Sequence, residues 1–381
     1  MISTRWQMAR GARSADHVKD LGALMRSRAH QVPATSVLLI ANLATYLAML
    51  TFGTPVGPSN ASTQLAWGAN FGPATQDHQW WRLATALFVH FGFLHLALNM
   101  WALWDVGRLV ERLYGTWRFL LVYVGAGVFG NLLSLVVQGN VAVSAGASGA
   151  IFGLYGALMM GLWQLRNVVS VREFRWIFAA TAFFSVLMLG LGWVVPGIDN
   201  AAHGGGAIAG ALWGLLLAPQ LKDGPPQRSM APFAGMALTL LAVTVVLQLP
   251  PARYRFTEEL QARKAIQDFL TTERSIHQHW EAILKSPQSA DLTFDQLAGQ
   301  IDTHVTQSYA QSFEQLAAAR PRSDIPSAQS LIDLQDYAAR RTEAAHALAN
   351  GLRGQHAEEI YDALKSSRQA LPLQAPTQPD R

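Results

Sequence analysis

The sequence predicts an all-α polytopic membrane protein, with seven transmembrane helices followed by a soluble helical domain. Three observations carry this reading. Of 381 residues, 50% are hydrophobic and only 14% are charged, against about 25% charge in soluble chains. The charge is unevenly placed: residues 251–381 hold 14 Lys/Arg and 17 Asp/Glu, leaving 15 basic and 8 acidic residues in the first 250. Seven apolar segments, near 35–53, 93–112, 117–138, 147–165, 174–194, 201–219 and 231–250, each approach the ~20 residues that cross a hydrocarbon core.

The polar segment 1–34 shows no signal-cleavage pattern, so the first span is expected to be an anchor and not a signal peptide. Six basic residues lie in it: Arg5, Arg10, Arg13, Lys19, Arg26 and Arg28. Arg108, Arg112, Arg118, Arg166, Arg172, Arg175, Lys222 and Arg228 flank alternate turns on the same side, and Arg82 is alone on the other. The positive-inside rule then makes the N-terminus cytoplasmic. An odd number of spans places the tail outside, in what is expected to be a bacterial inner membrane. The linker and seventh span occupy 221–250.

After Pro250-Pro251 the chain becomes polar, and residues 251–368 read as an extracytoplasmic helical domain. In its first helix Phe256, Leu260, Ile266, Phe269, Leu270, Ile276, Trp280 and Ile283 recur at roughly helical spacing. A second helix is expected from Thr293, with Gln296 as capping-box partner, to about Ala319. Pro321 and Pro326 interrupt, and a third runs from about Ser327 to Gly351 or beyond. Three amphipathic helices suggest a small bundle, a candidate surface for recruiting partners. Residues 369–381 are expected to be disordered.

Composition removes several functions. The chain has no cysteine, hence no disulfides, metal-thiolate sites or thiol nucleophiles. The pI near 9.5 comes from a basic excess in the membrane part, which topology explains without nucleic acid. Five histidines lie in the tail, but no pair has the i, i+4 spacing of a helical metal site. No metal or cofactor is expected.

Three spans bring polar groups to one depth. Spans two, four and six run from outside to inside, so their first turns lie near the outer face. Ser148 opens span four in GASGAIFG, and His203 opens span six in DNAAHGGGAIAG. His95 and Asn99 sit early in span two, four residues apart and so on one helix face. Each has a structural reading. Ser148 can bond back to a carbonyl, Asn99 can be interhelical glue worth about 0.6–2 kcal/mol, and His95 can be a satisfied neutral imidazole. Their coincidence at one level favours chemistry, because intramembrane polar groups are costly and usually face an interior or a wet cavity. Nucleophile, general base and oxyanion donor are the parts of acyl transfer.

Glycines permit the arrangement. Gly149, Gly153 and Gly156 line span four, while Gly206 and Gly210 follow His203 at i+3 and i+7. Small residues at these spacings let two helix backbones approach closely, as a Ser–His hydrogen bond between helices requires. A soluble nucleophile elbow fits poorly, because that motif is G-x-S-x-G after a strand.

Together these residues resemble the rhomboid family of intramembrane serine proteases over roughly residues 35–220, a six-span core to which span seven is added. Gly146 and Ser148 in GASG fit the G-x-S-G motif, and His203, Gly206 and Gly210 fit H-x-x-G-x-x-x-G. His95 and Asn99 fit H-x-x-x-N, and Trp81-Arg82 fits the W-R pair of the first loop. Gly107, Glu111 and Gly115 fit a turn pattern G-x-x-x-E-x-x-x-G. The resemblance implies a dyad in which Ser148 attacks a peptide carbonyl of a single-span transmembrane substrate and His203 moves the proton. It implies an oxyanion held by the Ser148 N–H, Asn99 and His95. Gly146, Gly149, Gly206 and Gly210 would serve close helix packing, and Trp81, Arg82 and Glu111 loop or turn structure. Phe152 sits where the family often carries an aromatic that packs on the histidine; lipid-facing filler is the other reading. His90 has the position of a loop-bracing histidine. Arg82 beside Trp80 and Trp81 reads as an interfacial anchor.

Two other functions compete. An inactive rhomboid-like scaffold would bind transmembrane clients and lipid without cutting; inactive relatives typically lack the Ser or His, which this chain keeps. A transporter would line a path with polar groups, but the halves do not repeat and the polar groups cluster near one face.

Overall fold

Each of the seven apolar segments contains a helix in the computed structural model, which describes residues 31–167, 169–195, 197–217, 230–285, 292–322 and 324–369. The basic residues before 31, Lys222, Arg228 and nearly all of the last stretch lie outside the described residues. The chain divides into two compact units, Met1–Ala252 and Arg253–Arg381.

The first unit begins with α1 (Pro33–Thr51), followed by the short helices α2 (Ala61–Ala66), α3 (Gly72–Gln76) and α4 (Arg82–Thr85) of a long loop. Then come α5 (Phe93–Tyr114), α6 (Thr116–Gln138), α7 (Ser148–Leu165), α8 (Val171–Val194), α9 (Asn200–Leu216) and α10 (Ala231–Leu247). Among the described residues, α1, α6, α7 and α8 are long and apolar enough to cross a membrane, and α5 qualifies with the bent piece 82–88. The last two helices have 17 residues each, about 26 Å at 1.5 Å per residue. That is short of the ~30 Å hydrocarbon core. Composition explains α9, whose first half carries His203 and three glycines in place of large apolar residues.

Helix ends are set by identifiable groups. Pro33 starts α1 at a position where its missing N–H costs nothing. The Glu111 carboxylate at the far end of α5 accepts the Ala34 N–H (2.9 Å), the Thr35 N–H (2.8 Å) and the Thr35 hydroxyl (2.7 Å). It also accepts the Thr116 hydroxyl at 3.0 Å, so one buried acid caps the start of α1 and holds the first residue of α6. Gly115, at φ +83°, makes the turn between α5 and α6. Ser170 and Asp199 cap α8 and α9 through side-chain oxygens.

The centre of the unit is α7. Most of its residues are buried, whereas α8 buries Thr181 alone among its described residues. The reason lies in α7's partners. Added methyl groups at Gly206 and Gly210 would strike the carbonyl oxygens of Gly149 and Gly153, and one at Gly214 would lie 2.8 Å from Ala157 Cα. The α7 and α9 backbones therefore touch along the whole row. Farther along the row the Tyr114 hydroxyl lies between the carbonyls of Ala157 (2.9 Å) and Gly214 (3.2 Å) and bonds to both.

The second unit holds α11 (Phe256–Lys285), α12 (Phe294–Ile301), α13 (Gln307–Ala318), α14 (Ala328–Gly354) and α15 (Ala357–Gln369). The Thr293–Gln296 capping box is formed. Two expectations change. The helix expected from Thr293 to about Ala319 is broken by a π-helical turn at Asp302–Thr306. A further helix, α15, follows the left-handed Gln355. Its polar sequence gives little apolar signal, yet Ala363 is buried and Ile360 packs on the same core. That core gathers Phe269, Ile276, Tyr309, Leu316, Leu334 and Leu348.

The glycine row gives a matched pair of variants. Gly206→Ala should destabilise the protein by about 1–3 kcal/mol through overpacking. Gly204→Ala points into open space and should not. Thermal unfolding in detergent distinguishes them, and equal melting temperatures would show that α7 and α9 do not meet at Gly206.

Candidate active site

Ser148 is the first residue of α7, and His203 lies one turn into α9. The close approach of these two helices brings His203 Nε2 to 2.8 Å from Ser148 Oγ. Ser148 is half-buried and His203 is 8% exposed. Where the hydroxyl donates, Nε2 accepts and the ring proton resides on Nδ1. That arrangement leaves the imidazole ready to take the hydroxyl proton. The Phe152 ring stacks on His203, with centroids 4.4 Å apart and planes 17° from parallel. Phe152 is 5% exposed, so it is not lipid-facing filler.

The oxyanion candidates come from α5. His95 projects to the loop before Ser148: a methyl group on Gly146 would lie 3.0 Å from His95 Nε2 and 3.8 Å from Ser148 Oγ. Asn99 is buried, and its Nδ2 donates to the His95 carbonyl at 2.9 Å. An amide nitrogen has two N–H groups, so a second donor remains for a ligand. The backbone contributes as well. The first N–H groups of α7 have no acceptor within the helix and carry its positive dipole end.

Gly146 is placed differently from the other three glycines of the motif. It lies in the loop and not on a helix face, at φ +127°, a left-handed value that favours glycine. What it approaches closely is the His95 ring. Gly149, Gly206 and Gly210 do pack helix against helix. His90 is fully buried, holds the Phe88 carbonyl through Nδ1 and meets the His95 ring edge-on at 5.1 Å.

Arg82 departs from the interfacial-anchor reading. It is 5% exposed and donates to the carbonyls of Leu65 (2.7 Å) and Ala69 (3.0 Å) and to Gln79 Oε1 (2.7 Å). The physical reason is that the loop 52–92 folds inward and leaves carbonyls that need donors. Trp80 and Trp81 remain about half exposed, as headgroup-level tryptophans do. Glu111 serves the turn and α1 together, which the turn motif did not foretell.

Residues passed over in the sequence complete the surroundings. Asn70 and Ser144 exchange backbone hydrogen bonds at 2.9 Å each, and the Asn70 amide donates to the Asn131 carbonyl at 2.9 Å. The Ser144 pair ties the loop 52–92 to the loop that delivers Ser148, and the Asn131 bond ties it to α6. Asp199 accepts hydrogen bonds from the hydroxyls of Ser134 and Ser144. An acid one turn before a motif histidine was the available signal.

A family model described as Rhomboid domain matches residues 77–220. The chain is 42% identical over 154 residues to Rhomboid protease GluP of Bacillus subtilis (strain 168), covering 40% of this chain and 29% of GluP. It is 38% identical over 149 residues to YdcA of the same bacterium, covering 39% of this chain and 72% of YdcA. It is also 33% identical over 174 residues to Inactive RHOMBOID-like protein 8 of Arabidopsis thaliana, covering 45% of this chain and 48% of that one. The chain thus spans less than half the length of two of these three relatives.

The stacked ring offers a test of the site's geometry. Aromatic pairs contribute about 0.5–1.5 kcal/mol beyond burial, so Phe152→Leu should slow labelling of Ser148 by a serine-directed fluorophosphonate roughly threefold to tenfold. Unchanged labelling kinetics would show that the stack does not orient His203.

Proposed function

We propose that this chain, which belongs to the rhomboid family, is an active intramembrane serine endopeptidase that cleaves transmembrane proteins near the outer membrane face. The 2.8 Å Ser148–His203 pair is the observation that carries the reading. Ser148 Oγ attacks the scissile carbonyl carbon while His203 Nε2 takes its proton. His203 then gives that proton to the leaving amine, and a water attacks the acyl-enzyme through the same base. The negative oxygen is received by the Ser148 N–H, by the second N–H of the Asn99 amide, and by His95. Preorganised donors of this kind cost no reorganisation when the charge develops.

The competing reading is a scaffold that binds transmembrane clients without cutting. Among the chain's relatives is a protein named as inactive. Against that reading, this chain carries both members of the dyad at hydrogen-bond distance.

The topology follows the same proposal: seven spans in a bacterial inner membrane, the N-terminus cytoplasmic, and the helical domain from 251 onward outside. One observation supports it. Gln76 donates to the Pro250 carbonyl and Asn140 to the Pro251 carbonyl, both at 3.0 Å. The chain therefore leaves α10 at the face that holds the loop 52–92 and the mouth of the site. Single-span substrates and lipid are the partners of the membrane part, and the outer domain serves to recruit them.

Ser148→Ala and His203→Ala should each abolish cleavage of a single-span substrate in liposomes, and the double variant should be no worse than either, because the pair acts as a unit. Asn99→Ala should lower kcat by about 10²–10³. Substantial turnover in either dyad variant would remove the assignment, and a wild-type rate in Asn99→Ala would assign Asn99 to packing.

For topology, alkaline phosphatase fused after Arg381 should be active in a bacterial host. Activity there from a cytoplasm-only reporter instead would show that α10 does not cross.

A further inference from the structure

The Asp199 carboxylate is engaged on both oxygens by three separate parts of the fold. Its Oδ1 accepts the Ala202 N–H at 2.9 Å, and its backbone carbonyl accepts the His203 N–H at 3.1 Å. Together these cap α9 at the turn that carries His203. The other oxygen, Oδ2, accepts the Ser144 hydroxyl at 2.6 Å and the Ser134 hydroxyl. Ser134 belongs to α6, and Ser144 lies four residues before Ser148, in the loop that enters α7. Both serines are buried.

Helix capping alone does not account for this. A serine, threonine or asparagine caps a helix about as well as an aspartate, and each needs only one acceptor. Here the second carboxylate oxygen has been turned away from the helix, onto the loop of the nucleophile. The loop is anchored on its far side too: Ser144 pairs with Asn70 through both backbone groups, and the Gly146 N–H donates to the Ala86 carbonyl at 2.9 Å. Gly146 is also the point where His95 meets the loop. The carboxylate thus joins the base's helix, the nucleophile's loop and α6 at one point, a single turn from the dyad.

We infer that Asp199 is a positioning residue of the dyad, which fixes the register of the Ser148 loop against the His203 helix through Ser144 and Ser134. The inference rests on the protease reading given above. It makes the shared carboxylate, and not the glycine contact alone, responsible for the hydrogen-bond distance between Oγ and Nε2. Glycines set how near the two helices come; the carboxylate sets how the loop enters.

The test uses the full-length protein in liposomes, with kcat and KM for a single-span substrate, fluorophosphonate labelling and thermal unfolding. Asp199→Ser keeps a good cap but cannot reach the loop with a second acceptor. Ser144→Ala leaves the cap and the dyad untouched and removes only the tie. Misplacement of reacting groups by about 1 Å costs up to a hundredfold, so each should lower kcat on the order of tenfold to a hundredfold, with KM within about twofold of wild type. The double variant should be no slower than the slower single one, because both remove the same link. Wild-type kcat in a folded Asp199→Ser or in Ser144→Ala would overturn the inference and leave Asp199 a helix cap. Multiplicative losses in the double variant would overturn it as well. Should Asp199→Ser melt too low to assay, Ser144→Ala decides alone. Failure of the underlying reading looks different: wild-type protein would neither label nor cleave.

Discussion

The contact of α7 with α9 through glycine is the constraint on which the first unit depends. Where Gly206 faces Gly149 and Gly210 faces Gly153, no side chain separates the two backbones. In lipid, helix association lacks a hydrophobic driving force, and close backbone packing takes its place. Ser148, the first residue of one helix, and His203, one turn into the other, can then hydrogen-bond without long side chains. The same row continues past the site to Ala157 and Gly214, where the Tyr114 hydroxyl bonds to both carbonyls. The distance between Ser148 and His203 is therefore held from below as well as from the mouth.

Two buried charged groups in this unit draw on the backbone and on uncharged side chains. Glu111 takes two N–H groups and two hydroxyls, and Arg82 gives its hydrogen bonds to two carbonyls and a glutamine. Burying a charge is tolerable only when its hydrogen-bonding capacity is filled. Irregular backbone at membrane depth has the complementary need. The loop 52–92 joins the two requirements, since its carbonyls need donors and Arg82 supplies them.

The second unit obeys a different economy. Its core is built from Phe269, Ile276, Tyr309 and Leu348, on helices whose remaining faces are polar, the usual pattern of helices that bury one side in water. The capping box at Thr293 and Gln296 shows local rules operating there as in any soluble bundle. Its departures are the π turn at Asp302–Thr306 and the added helix α15. Both depend on how neighbouring helices pack.

The sequence alone determined where helices form, because a run of about 20 apolar residues or a spaced apolar stripe is a local property. It also singled out Ser148, His203, His95 and Asn99, since polar groups are rare enough in such runs to stand out. It gave the glycine spacing that brings two of those helices together. Tertiary structure decided what is set by distance between segments far apart in the chain. It buried Arg82, expected in the loop's structure but at the interface, among the loop's own carbonyls, and moved Gly146 from helix packing to a left-handed turn against His95. It stacked Phe152 on His203, and it gave Asp199 two serines from other segments as partners. A carboxylate, a ring or a guanidinium looks the same in sequence whichever neighbour it serves. Only the folding of loop 52–92 and the loop before Ser148 onto the helix ends supplies those neighbours, and with them the roles.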